Sequence, residues 1–294
     1  MAGGLEQAAG PLRRGAGAGR MGREEAAMPE AAGQPAPVKP ARVLWTLGIL
    51  LTLMLAWLVV GVVAPFVRMQ LVIRDFDMHR IDGPKAVELL GGPERAAQRL
   101  GRCFRLPQPP QYDYEATARL LAHCGKPAVP ALADVAETSD NPFKRLYALY
   151  ALFEIGPQAA EAVPALVRML NQRGEDDDRG AVAAALGGIG PGARAAVPAL
   201  EKLLADDDQR IRSASARALS RIDPTVAAAV AALVEALDSE SAADACESLG
   251  RMGSVAKAAL PALEAKVRQW EKDERLRAAA AEALKKIRGE EAEK

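Results

Sequence analysis

The residues best equipped for chemistry in this sequence are arginines that recur in register. Arg145, Arg179, Arg212 and Arg277 each stand eleven residues before the same point of a repeating pattern, and Ala242 takes that place once. A guanidinium is always charged and presents a planar fork of donors, so such a row suits charge-assisted bidentate bonds to carboxylates. Two uses fit. Each arginine pairs with an acid of a neighbouring turn, for which Asp140, Asp176, Asp207 and Asp273 are candidates, and fastens one unit to the next. Alternatively the row faces outward and grips an acidic or extended protein partner, with Lys144, Arg210, Arg217 and Arg275 as helpers. A residue that recurs with a repeat is first explained by the repeat itself, so fastening is the leading expectation and partner binding the second.

Other chemistries find little support. The sequence has no Gly-rich phosphate loop, no nucleophile elbow and no HExxH pair. The acidic run "EDDDR" at Glu175 to Arg179 sits where a turn is expected and reads as helix capping rather than acid–base chemistry. Cys103, Cys124 and Cys246 are odd in number and widely spaced, so they read as buried thiols. With His79 and His123 the only histidines, no metal site is expected. Lys plus Arg equals Asp plus Glu at 38 each, which gives no bulk attraction to nucleic acid. No catalytic residue, cofactor or metal is expected, and the protein is not expected to be an enzyme. The aromatic cluster Phe143, Tyr147, Tyr150 and Phe153 reads as local core, with one exposed stripe as the alternative.

The elements that position these residues follow from the repetition. "FEIGPQAAEAVPALVRML" starts at Phe153 and "GGIGPGARAAVPALEKLL" at Gly187. Gly156-Pro157, Gly190-Pro191, Asp223-Pro224 and Gly253-Ser254 are followed, eight residues on, by Pro164, Pro198, Ala231 and Pro261, and two further on by Leu166, Leu200, Leu233 and Leu263. An irregular first unit, "CGKPAVPAL", supplies Pro130 and Leu132. Before each such point, Leu152, Leu186, Leu219, Leu249 and Leu284 are followed three residues later by Ile155, Ile189, Ile222, Met252 and Ile287, a helical spacing. Small residues precede each Leu and let helices approach closely. Pro early in "AVPAL" opens a helix, Gly-Pro closes one, and the Asp-, Asn- and Ser-rich stretches between suit turns and N-caps. Each unit therefore reads as two antiparallel helices. A period of about thirty residues means that such units stack.

On these residues the chain resembles the HEAT-like repeats, in the short form of phycobilisome lyase-type repeats, over roughly Tyr114 to Arg288. The resemblance implies an all-α fold, a right-handed α-solenoid of antiparallel helix pairs of the armadillo type. The motif is specific for the fold and nearly silent on activity.

Upstream, Val43 to Val67, "VLWTLGILLTLMLAWLVVGVVAPFV", carries no charge and is bracketed by Arg42 and Arg68. At about 1.5 Å per residue it spans a hydrocarbon core of about 30 Å with some tilt. The resulting map is a disordered Pro/Gly/Ala-rich tail at 1–42, a transmembrane helix at 43–67, and a helical cap and spacer at 68–113. A solenoid of about five units at 114–288 and a charged tail at 289–294 complete it. Basic residues flank both ends of the span, with a weak preference for the tail in the cytoplasm of a bacterial inner membrane. The expected function is a non-catalytic, membrane-anchored interaction scaffold that binds a protein along the concave face. A purely structural membrane-attached spacer is the alternative, and a chromophore lyase-like accessory protein a remote one.

Overall fold

The computed structural model describes residues 50–105, 113–172 and 177–290. Residues 1–49, with the expected tail and the start of the expected span, residues 106–112, residues 173–176 with the candidate Asp176, and residues 291–294 lie outside the described residues. The chain divides into two units, Met1–Ala56 and Trp57–Lys294. In the first, residues 50–56 are helical and exposed.

The helical run Leu50–Asp77 is α1. Between Val59 and Val63 it widens into a π-turn, and the Ala64 amide donates to the Val59 carbonyl. Pro65 supplies the reason, since it has no amide to donate and its ring crowds the carbonyl four residues back. The expected boundary at Val67 is not a helix end: α1 continues through Asp77 and buries Met69, Val72, Ile73 and Phe76. Two short helices follow, α2 (Gly83–Leu89) and α3 (Pro93–Arg105), with the Asp82 carboxylate capping α2 by accepting from the Lys85 amide at 2.8 Å.

From α4 (Tyr114–Cys124) onward the architecture is all helical among the described residues. Five pairs follow it: α5 (Val129–Thr138) with α6 (Pro142–Ile155), α7 (Val163–Leu170) with α8 (Arg179–Ile189), and α9 (Val197–Leu203) with α10 (Gln209–Ile222). The last two are α11 (Ala229–Ala236) with α12 (Ala242–Met252), and α13 (Leu260–Gln269) with α14 (Glu274–Arg288). The cap is closer to the stack than the sequence suggested, because α3 and α4 pack on each other and on α5 and α6 as one further pair. The signal was present in Leu121, Cys124 and Gly125, which repeat the spacing of Leu152, Ile155 and Gly156.

Turn chemistry sets these boundaries. Gly156, Gly190 and Gly253 close α6, α8 and α12 at φ of 65°, 69° and 55°, a region that side chains disfavour, and a short 3₁₀ segment then leads into the next first helix. Asn141, Asp208 and Asp273 cap α6, α10 and α14 by accepting from backbone amides. Leu132, Leu166, Leu200, Leu233 and Leu263 are fully buried between the two layers, as are Leu152, Leu186, Leu219 and Leu249.

The two layers differ in spacing. Successive second helices pack directly on one another, whereas the first helices touch less. Small residues allow this: a Cβ placed on Gly187 would lie 3.0 Å from the Ala218 Cα, and one on Gly250 3.3 Å from the Ala283 Cα. Closer spacing in one layer bends a stack toward it, so the second helices form the inner face.

Candidate partner-binding face

The recurring arginines lie where the turns of adjacent units meet. Arg145 Nε donates to the Asp178 carboxylate of the next unit at 2.5 Å and its Nη1 to the Ser139 carbonyl at 3.0 Å. Arg179 is 7% exposed and is held by Asp177 and, at 2.6 Å, by Asp206, itself 5% exposed. These carboxylates push its pKa up, the Asp177 hydrogen bond most. Arg212 binds Glu235 on α11 and donates to the carbonyls of Asp206 and Asp207 at 2.7 and 3.0 Å. Arg277 is exposed and donates to the Glu271 carbonyl at 3.4 Å. All four thus bind a turn or a neighbouring unit, and Arg145, Arg179 and Arg212 do so through a carboxylate of the adjoining unit.

Among the described residues their carboxylate partners are Asp178, Asp177, Asp206 and Glu235, beside the candidates that the sequence suggested. Asp207 offers only its carbonyl, and the Asp273 carboxylate caps α14. Asp178 has no capping bond in its N-cap position and is bound by Arg145 instead. In the fourth unit, where Ala242 stands in register, the cation comes from the other direction, as Lys266 of α13 bonds Asp238.

The helpers divide. Lys144 is only 5% exposed, its ammonium 5.3 Å from the centre of the Tyr114 ring, and burial pushes its pKa down. Its expected role in gripping a partner is therefore corrected, because the side chain folds under α4 instead of facing solvent. Arg210 is exposed and bound to its own cap residue, Asp208. Arg217 bonds Asp244 across the inner face, and Arg275 is exposed.

The inner face itself is uneven. Phe143, Leu146 and Tyr150 stand on one side of α6, spaced by three and four, and are 64%, 47% and 49% exposed. Tyr147 and Phe153 are half-buried, so the aromatic cluster is split, and Leu146 joins the exposed part. Beside α6, α8 carries nothing larger than a methyl at Gly180, Ala181, Ala184, Gly187 and Gly188. Beyond it α10 raises Arg217 and Arg221, and the Arg221 guanidinium lies 5.7 Å from the centre of the Phe153 ring. A cleft of about 120 Å³ opens here, floored by Ala184, Gly187 and Ala218. The result is a shallow trough between the Phe153 ring of α6 and the arginines of α10.

The thiols are less promising. Desolvation raises the pKa of Cys124 to about 12 and of Cys246 to about 11, so both remain protonated near neutral pH. Among the described residues no three His, Cys, Asp or Glu side chains are grouped to hold a metal ion.

Residues 172–245 match the HEAT repeats. The matched stretch contains α8 to α11 and the start of α12, including Arg179, Arg212 and the floor of the trough. Two solved structures are similar in fold. One is the crystal structure of an engineered protein, 23% identical, with a TM-score of 0.44 over 71% of this chain and 97% of that one. The other is the complex of CpcE and CpcF of phycocyanin lyase from Nostoc sp. PCC7120, 20% identical, with a TM-score of 0.45 over 74% of this chain and 94% of that one. No curated protein matches the chain. The stack is an α-solenoid of helix pairs, as the sequence leads one to expect.

Proposed function

We propose that this HEAT-repeat protein is a membrane-anchored scaffold that binds a partner protein on its inner face and performs no catalysis of its own. The observation that carries the reading is the exposed side of α6. Three large apolar side chains, Phe143, Leu146 and Tyr150, project from one helix face where a self-sufficient stack would place polar groups. Aromatic anchors beside a rigid floor suit a partner's apolar side chains, and Arg221 at the far wall suits an acidic group on the same partner. A preassembled stack also loses little conformational freedom on binding.

Leu50–Asp77 supports the anchor, since its most apolar eighteen residues have a mean hydropathy of 2.5 and none is buried. In this reading the tail before the span is cytoplasmic and the repeats lie across a bacterial inner membrane.

The test is a photoreactive amino acid at Leu146, compared with one at the exposed Arg194 away from the trough, in intact membranes. One protein captured from position 146, absent from position 194 and lost in the Phe143→Ala/Tyr150→Ala double variant, is the expected result. Equal labelling at both positions, or none, would favour the spacer.

A further inference from the structure

The apolar residues of α1 pass from one environment to another within a few positions. Trp57, Val60, Phe66 and Val67 are exposed, and Met69, Val72, Ile73 and Phe76 are buried among α2 and α4. Val67 and Met69 are about 3 Å apart along the helix axis. No spacer separates the lipid-type surface of the helix from the part that the cap encloses, and Arg68 is the residue between them.

The next element to pack on this helix is α2, which leads into the turn before α3. After the short turn at Met78–Asp82, α2 packs on α1, so the chain reverses. Its seven residues span about 10 Å, against roughly 14 Å of α1 between Arg68 and Asp77. At its end Leu89 is exposed, as is Leu71 on α1, one turn beyond Val67. Two arginines gather at the same turn. Arg99 Nη1 donates to the Leu90 carbonyl at 3.2 Å, and the Arg95 side chain lies against Gly91, where an added Cβ would be 3.2 Å from the Arg95 Cδ.

Arg68, Arg95 and Arg99 are all exposed, and among the described residues none has a carboxylate within ion-pair distance. Arg74 and Arg80, by contrast, share Asp75. Charge along the sequence agrees: residues 68–105 carry eight Lys or Arg against five Asp or Glu, and residues 113–294 twenty-four against twenty-nine. The excess of cations is confined to the part of the stack nearest the apolar run.

We propose that Arg68, Arg95 and Arg99, with Leu71 and Leu89 beside them, bind the headgroups of anionic lipids and seat the first helices of the stack on the bilayer. Guanidinium forks match phosphate oxygens, and leucines at this depth enter the interface beneath them. The proposal rests on the anchor reading given above.

The experiment uses the full chain in nanodiscs of phosphatidylcholine alone and of three parts phosphatidylcholine to one part phosphatidylglycerol, with hydrogen exchange followed at residues 89–95. Exchange there should slow by about fivefold or more in the anionic discs, the size of one arginine contact with a charged surface. The Arg68→Gln/Arg95→Gln/Arg99→Gln variant should lose this response, and the corresponding triple Lys variant should keep most of it, which separates lost charge from loss of the Arg99 bond to Leu90. A chain that co-elutes with both discs but exchanges alike in them overturns this surface alone, as does a Gln variant that responds like the parent. A chain that co-elutes with neither disc overturns the anchor and this surface with it.

Discussion

Arg179 and Phe143 lie in adjacent units and meet opposite surroundings. Arg179 carries a full charge yet is 7% exposed between Asp177 and Asp206, whereas Phe143 is a hydrocarbon ring and is 64% exposed. At the turns, two helix pairs must be joined where backbone carbonyls and capping carboxylates crowd together, and a buried guanidinium satisfies several of them at once. On the inner face of α6 no neighbouring helix covers Phe143 and Tyr150, which stay in solvent. The comparison teaches that polarity does not tell which residues of this solenoid are buried in its joints and which stay exposed. Position within the unit does.

The strongest way to break that contrast is Arg179→Ala. It leaves Asp206 buried without its cation, and the expected cost is about 3 kcal/mol in urea unfolding. A loss well under about 1 kcal/mol would mean that the turn relaxes and that the fastening is dispensable. Restoring balance with Arg179→Ala/Asp206→Ala should recover part of the loss.

Gly188→Ala tests the floor beside the aromatic wall. Its new methyl would meet the Phe153 carbonyl oxygen at 2.8 Å and Cα at 2.9 Å, and backbone cannot step aside as a flexible side chain would. A destabilisation of about 2 kcal/mol is expected from such overpacking, with a lower Tm.

Phe143→Ala with Tyr150→Ala should behave in the opposite manner. Stability should change by no more than about 0.5 kcal/mol, because little native contact is lost, while capture of the partner disappears. A large fall in Tm would show that these rings belong to the core after all.

The smallest effect concerns the exposed pairs between units. Hydrogen bonds from Arg168 and Arg212 hold Glu137 and Glu235 below the ordinary carboxylate range in the folded chain. On unfolding, both return to their ordinary values, so the unfolded chain takes up protons first as the pH falls. The stability that these pairs give is therefore complete above the ordinary carboxylate range and is lost as the pH drops through it to the lower folded values. Thermal melts between pH 7 and pH 3 should show a slightly smaller acid loss in Arg168→Gln/Arg212→Gln than in the parent, the difference being small because the pairs are solvent-screened.

The helix pairs were legible in the sequence because local rules agree there. Glycine at positive φ ends α6, α8 and α12, proline opens the next first helix, and Leu and Ile spaced by three mark the buried side. The cap was half legible: residues from 114 on were expected in the solenoid, but α3 pairing with α4 could not be read, because the α4 motif has Cys124 and Lys126 where the units of α6, α8 and α10 have Ile and Pro. Of the candidate site, the arginine row could be read as a row and its exact partners could not. Asp178 serves Arg145 from thirty-three residues away, a pairing that depends on how two units dock.

By itself, then, the sequence determined the elements, since capping, left-handed glycine and a 3.6-residue period act over one or two turns. It also marked an apolar run long enough for a bilayer. Only the tertiary structure decided that Lys144 is covered by Tyr114 while its neighbour Arg145 reaches the next unit, and that Phe143, Leu146 and Tyr150 stay in solvent while Leu149 and Leu152 do not. The reason is geometric. Adjacent residues on a helix point about 100° apart, so the direction from which the neighbouring helix approaches settles which of them is buried, paired or left free.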